Sequence, residues 1–141
     1  MLHIIKDLND PLIDLIKDDP VRPAIPSSSR VHDHAEIFVL LNVNVPAAVT
    51  CVAYLDAVPT TESELGTTGE NVAAFYTIWS YTPGAGRKLI REAQLYIKEN
   101  KQSITRWVTL SPKTEMARVF HHKNGAFTLQ ENLETINYEY Q

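Results

Sequence analysis

The apolar positions of the chain change period along its length, and the changes mark out the elements. Residues 2–5 (Leu-His-Ile-Ile) read as a short strand. Residues 10–18 place Leu12, Ile13, Leu15 and Ile16 at helical spacing. Asp10 stands as the cap of that helix and Pro11 at its first position, where the missing N–H costs nothing. Pro20, Pro23, Pro26 and Ser27–Ser29 make residues 19–30 an irregular loop. Residues 36–44 and 48–57 are β-branched and aromatic runs, and the short link through Pro46 predicts an antiparallel hairpin. Residues 59–71 are polar and glycine-containing and predict a mobile loop. Residues 72–80 form a third strand, apolar enough to be central. The period then becomes helical, with Leu89, Ile90, Ala93, Tyr96 and Ile97 on one face of a helix over 86–100. Residues 104–110 predict a strand. Ser111-Pro112 predicts a helix start, Met116, Ala117 and Phe120 its apolar face, and Gly125 its stop. Residues 126–130 and 134–140 close the chain as β segments, the last alternating as an edge strand would. The order β-α-β-β-β-α-β-α-β-β predicts an α/β single domain over 1–141 with a mixed sheet.

Composition narrows the function. The chain has 141 residues, with 13 Lys+Arg against 17 Asp+Glu, a net of -4, which argues against a general nucleic-acid binder. No apolar run reaches the ~20 residues of a membrane span, and the acidic N-terminus does not read as a signal peptide, so the expected compartment is the cytoplasm. The average conceals a split. Residues 87–123 hold nine basic and three acidic residues, a net of +6; the remainder holds 4 and 14, a net of -10. A basic segment of this kind suits one anionic ligand, while solvated helix faces are the plainer reading.

The segment richest in chemistry is strand 72–80, the Gly-rich turn and helix 86–100. A glycine turn that opens a helix presents backbone N–H groups without internal partners, and the helix dipole adds to their pull on a phosphate. Gly84 and Gly86 allow close approach, and Arg87 and Lys88 flank the opening. The turn has neither the Gly-Lys-Ser/Thr of a P-loop nor the third Gly of a dinucleotide fingerprint.

Here the sequence resembles the GNAT superfamily of acyl-CoA-dependent N-acetyltransferases. Pro83-Gly84-Ala85-Gly86-Arg87-Lys88-Leu89-Ile90 is similar to that family's pyrophosphate loop. Thr114-x-x-Ala117-x-x-Phe120-His121-x-Lys123-x-Gly125-Ala126 is similar to its Asn-x-x-Ala-x-x-Leu/Phe-Tyr-x-Lys-x-Gly-Phe segment. The element order matches as well. The likeness covers residues 72–130, and the first 70 residues match in outline. Tyr81 stands where Gln or Arg is usual, Thr114 for Asn, His121 for the Tyr that protonates the departing thiolate, and Ala126 for Phe.

The resemblance implies a GNAT-like α/β fold, with a central mixed, mostly antiparallel sheet flanked by helices, and acetyl-CoA as cofactor. It implies an acetyl group passed to a primary amine of a small molecule or protein by direct attack in a ternary complex. Ile78, Trp79 and Ser80 would pair with pantetheine. Thr82, Pro83, Gly84, Ala85, Gly86, Arg87 and Lys88 would hold the pyrophosphate, with Ser111, Thr114 and Phe120 completing the site. His121 is the candidate acid, since a histidine delivers a proton near neutral pH. The family's usual glutamate base on the fourth strand has no counterpart in 72–80, which leaves Glu36, Asp56 and Glu70 as candidates. A catalytically degenerate CoA-binding or protein-interaction module is the alternative, and a homodimer through the C-terminal strand is a further expectation.

His32-x-His34-x-Glu36 has strand spacing for metal ligands, but a polar strand entrance is the better reading, and no metal is expected. Cys51 and Trp107 read as core residues.

Overall fold

The computed structural model describes residues 1–141. The three apolar runs form β2 (Ala35–Asn42), β3 (Val45–Leu55) and β4 (Val72–Ser80). With β1 (Leu2–Ile5) they make an antiparallel meander β1–β2–β3–β4. Both faces of these strands are covered, which is why they read as continuous apolar runs. Helix α1 (Ala85–Asn100) then crosses to β5 (Arg106–Thr109), which lies parallel to β4. After β5 come β6 (Ser111–Pro112), α2 (Glu115–Lys123), β7 (Phe127–Glu131) and β8 (Thr135–Tyr140). β8 pairs with β5 and β6 on one side and β7 on the other, completing an eight-stranded mixed sheet. The edge is therefore β7. The expectation that the C-terminal strand is an exposed edge is overturned: Tyr138 and Tyr140 are buried under α2, and the segment before β8 takes the outside place.

One face of the sheet carries the helices. Leu89, Ile90, Ala93 and Ile97 of α1 pack on Phe38, Val52, Tyr54 and Phe75. The opposite face, with Ile37, Val39, Val49, Ala74, Tyr76 and Leu110, is covered by residues 11–31 and 56–71. Residues 11–18 form a 3-10 helix rather than an α-helix. Three residues per turn stack Leu12 over Leu15 and Ile13 over Ile16, which suits a segment laid flat on a sheet. Asp10 caps it as expected, accepting from the Leu12 N–H at 2.9 Å.

Three other boundaries move. The hairpin turn is Val43-Asn44, and Pro46 lies inside β3 at an irregularity opposite Leu41, a position a proline can occupy without breaking a ladder. Ser111 does not cap α2. Its hydroxyl donates to Thr109 Oγ1 at 2.8 Å inside the sheet, and Thr114 caps instead, accepting from the Ala117 N–H at 3.2 Å. The polar loop 59–71 is pinned: Asn137 donates to the Pro59 carbonyl at 2.8 Å and Thr135 to that of Thr60 at 2.7 Å, while Thr61 and Glu64 form a capping box.

The loop after the 3-10 segment is shaped by a buried ion pair. Arg30, wholly buried, donates to Asp19 Oδ2 at 2.7 Å and to the carbonyls of Ile25 and Arg22 at 2.9 and 2.7 Å. Asp19 Oδ1 accepts from the N–H groups of Val21 and Arg22 and from the Thr77 hydroxyl. Burial opposes its ionisation, yet these donors together hold its carboxyl below the ordinary range. The network fixes the backbone of Arg22 against β4. No helix of the chain is long and apolar enough to cross a membrane.

Candidate active site

The site begins with an extra residue in β4. Val52 of β3 lies opposite Phe75, and Cys51 lies opposite Thr77, so Tyr76 is left without a partner on β3. A bulge of this kind bends the strand that carries it. β4 and β5 run side by side from the Val72/Arg106 pair to Phe75/Thr109, and the Leu110 N–H donates to the Phe75 carbonyl at 3.0 Å. Beyond that bond the two strands do not pair. A gap opens between Tyr76–Ser80 on one side and Leu110–Pro112 on the other.

The far end of β4 leads to the glycine turn. Gly84 takes φ +81°, a left-handed conformation that strains any other residue, and α1 starts at Ala85. The N–H groups of Gly86 and Arg87 have no acceptor within the chain. They lie at the positive end of the α1 dipole, with Arg87 and Lys88 exposed beside them. A methyl group on Gly86 would meet Ser80 Oγ at 2.9 Å and the Phe120 ring at 3.1 Å, so this glycine lets the start of α1 close against α2. Helix start, bared N–H groups and glycine cradle together suit a pyrophosphate.

The expected site residues separate into groups. Ile78 packs with the helix-side core, and exposed Ser80 lies beside Gly86; both lie between the gap and the turn. Trp79 faces the other side, where its indole N–H donates to the Tyr81 hydroxyl at 3.0 Å, and Tyr81 in turn donates to Asp18 at 2.7 Å. Thr82, Pro83 and Gly84 form the exposed turn. Ser111 is buried at the far wall of the gap, Thr114 caps α2, and Phe120 seals α2 onto Gly86.

The candidate acid packs on Phe120, and the bases have their own partners. His121 is 4% exposed, stacked on Tyr138, with Nδ1 bonded to the Tyr140 hydroxyl at 2.7 Å. Burial, reinforced by His122, pushes the imidazole down to about 4, so the ring is neutral at pH 7. Glu36 is buried on the helix side, accepting from the Tyr54 hydroxyl at 2.6 Å with Lys101 Nζ at 3.9 Å, near the C-terminal end of α1. Asp56 follows β3 and accepts from the Glu70 N–H at 3.1 Å, closing the turn that leads to β4. Asp56 and Glu70 thus lie at the opposite end of the strands from the glycine turn, while Glu36 stands in the row of Val52, Phe75 and Thr109, level with the start of the gap. His32 Nδ1 accepts from the His34 N–H at 3.1 Å.

Arg22 joins the site without a signal in its local sequence. Its Nε donates to the Tyr76 carbonyl and one terminal nitrogen to the Leu110 carbonyl, both at 2.9 Å, which places the guanidinium across the mouth of the gap. The other terminal nitrogen holds Glu62 at 2.9 Å. Nothing in the local pattern Val-Arg-Pro signals this role, because its partners are 54, 88 and 40 positions away.

No family model matches the sequence, and no curated protein matches it. Solved structures do match. A GNAT family acetyltransferase from Elizabethkingia anophelis with acetyl-CoA bound is 11% identical, covers 100% of this chain and 97% of its own, and superposes with a TM-score of 0.70. The PaiA N-acetyltransferase of Thermoplasma acidophilum in complex with coenzyme A is 13% identical over 100% and 99%, at 0.66. Malonyl-CoA decarboxylase from Agrobacterium vitis is 20% identical over 85% of this chain, at 0.70, and this chain spans 35% of that enzyme's length. The chain has the fold of the GNAT acetyltransferases.

Proposed function

We propose that the protein is an acyl-CoA N-acyltransferase that passes an acetyl group to a primary amine of a small molecule or protein within a ternary complex. The observation that carries this reading is the β4–β5 gap set in line with a helix start whose N–H groups are bare. Acetyl-CoA supplies the activated thioester. The N–H groups of Gly86 and Arg87, with the side chains of Arg87 and Lys88, hold the pyrophosphate. Ile78 and Ser80 line the path of the pantetheine from that turn into the gap. Donors at the edges of the gap polarise the thioester carbonyl as its oxygen gains charge. The acceptor amine enters from the face covered by residues 19–31 and 56–71. Structures of this fold with coenzyme A and acetyl-CoA bound support the cofactor assignment. Asp56, at the far end of β3 and β4 from the glycine turn, is left out of the reaction, while Glu36, level with the start of the gap and bonded to Tyr54, stays the candidate base.

Thermal melts with acetyl-CoA test the reading. A ligand at 100 times its dissociation constant stabilises by ~2.7 kcal/mol. No shift at millimolar acetyl-CoA would sink the assignment. Release of free thiol over a panel of amines then tests transfer. The likeness to malonyl-CoA decarboxylases adds malonyl-CoA to the thioesters to be tried. A CoA-binding module without catalysis is the second reading, favoured by the burial and low pKa of His121. A melting shift without thiol release selects it. His121→Gln distinguishes the roles of that residue: retained turnover per bound acetyl-CoA makes it a packing group, and a loss beyond tenfold with intact binding makes it the proton donor.

A further inference from the structure

The cation at the mouth of the gap has a weak and replaceable partner. The Arg22 side chain is 10% exposed, while that of Glu62 is 52% exposed and stands on a 3-10 turn at the surface. An arginine cannot shed its charge when buried. Some anion must therefore face it, and the one present is a single oxygen of a half-solvated carboxylate. An ion pair with so exposed a partner contributes little, so another carboxylate can take the place of Glu62 at small cost. The geometry favours such an exchange. The bonds to the Tyr76 and Leu110 carbonyls hold the guanidinium in a fixed plane across the gap. Three of its five N–H groups are engaged, and two make no bond within the chain. The backbone of Arg22 is itself anchored: its N–H donates to Asp19 Oδ1 at 2.9 Å, and its carbonyl accepts from Arg30 at 2.7 Å. A rigid, pre-oriented arginine fork is the group that recognises carboxylates with two parallel bonds.

We propose that Arg22 is a specificity determinant that binds a carboxylate of the substrate next to the reacting thioester, and that Glu62 occupies this place when no substrate is bound. This rests on the acyl-CoA reading and adds a substrate class to it. The carboxylate belongs either to the acyl group, as in a dicarboxylic monothioester, or to the acceptor, as in an amino acid.

Two matched pairs separate these sources. Acetyl-CoA and malonyl-CoA are compared by calorimetric titration. Glycine and methylamine are compared as acceptors by thiol release at saturating acetyl-CoA. The expected result is a preference of at least tenfold, in Kd or KM, for the carboxylate-bearing member of one pair. That preference collapses to within twofold in Arg22→Gln. Because Arg22 ties two strands together, the surface variant Glu62→Gln provides the second arm. It removes the internal competitor, and the Kd or KM of the carboxylate-bearing member falls several-fold while its partner's is unchanged. Three results overturn the proposal: no preference in either pair, a preference that survives Arg22→Gln, or a fall in kcat with unchanged KM for every acceptor in Glu62→Gln, which would make Glu62 a proton acceptor. Failure of both thioesters to bind overturns the acyl-CoA reading itself, and this proposal with it.

Discussion

At the residue scale, burial decides what a side chain can do. His121 carries a folded pKa of about 4 against 6.5 for a free imidazole, because burial excludes the charged form. Between those values the unfolded chain binds the proton and the folded chain does not. Stability is therefore fully present above pH 6.5 and falls as pH drops toward 4. The loss amounts to about 3 kcal/mol. Thermal melts between pH 7.5 and 4 should show this decline in the parent, and His121→Gln should lack it; equal slopes would contradict the assignment. The two glycines of the turn differ in the same physical way. A methyl on Gly84 meets nothing within 4 Å, so Gly84→Ala pays only for its left-handed φ of +81°, about 1 kcal/mol. Gly86→Ala instead pushes on Ser80 and the Phe120 ring. Its effect should fall on acetyl-CoA affinity more than Gly84→Ala does, as titration of both variants would show.

At the element scale, the turns and loops carry strain and anchorage that propensity does not reveal. Val43 is 88% exposed with φ +50°, a β-branched residue held left-handed in the two-residue turn between β2 and β3. Val43→Asn removes that strain without uncovering any core. It should stabilise by about 1 kcal/mol, raising Tm by roughly 3 °C in a chain of this size. The loop 59–71 makes the opposite case. Asn137, fully buried, donates to the carbonyls of Pro59 and Thr109 and accepts from Gln130 and Asn132. Asn137→Ala leaves these partners unmatched and should cost about 2–4 kcal/mol. Hydrogen exchange should then accelerate across 59–71, while β2 and β3 keep their protection.

At the scale of the whole molecule, the charge split becomes a spatial statement. The +6 stretch begins with Arg87 and Lys88 at the start of α1 and ends with Lys123 at the end of α2. The helices that would flank a pyrophosphate are therefore the basic part of an acidic protein. Acetyl-CoA affinity should fall several-fold between 50 and 500 mM salt, because exposed charges are screened within a few ångströms at the higher value. An affinity independent of salt would mean that the backbone N–H groups of Gly86 and Arg87 hold the anion with no help from these side chains.

The sequence alone determined the parts whose physics is local. Runs buried on both faces announce β2, β3 and β4; helical spacing announces α1; and Gly84 before a helix start announces the anion-binding turn. The 3-10 form of residues 11–18 was hidden because spacings of three and four share the same apolar positions over two turns. The placement of Glu36 level with the start of the gap became visible only with the registers that pair it with Val52 and Val52 with Phe75. The tertiary structure likewise decided the bulge at Tyr76, the gap that follows it and the arginine across that gap. Each depends on bonds between residues that are distant in the chain, and no pattern of neighbouring side chains encodes them.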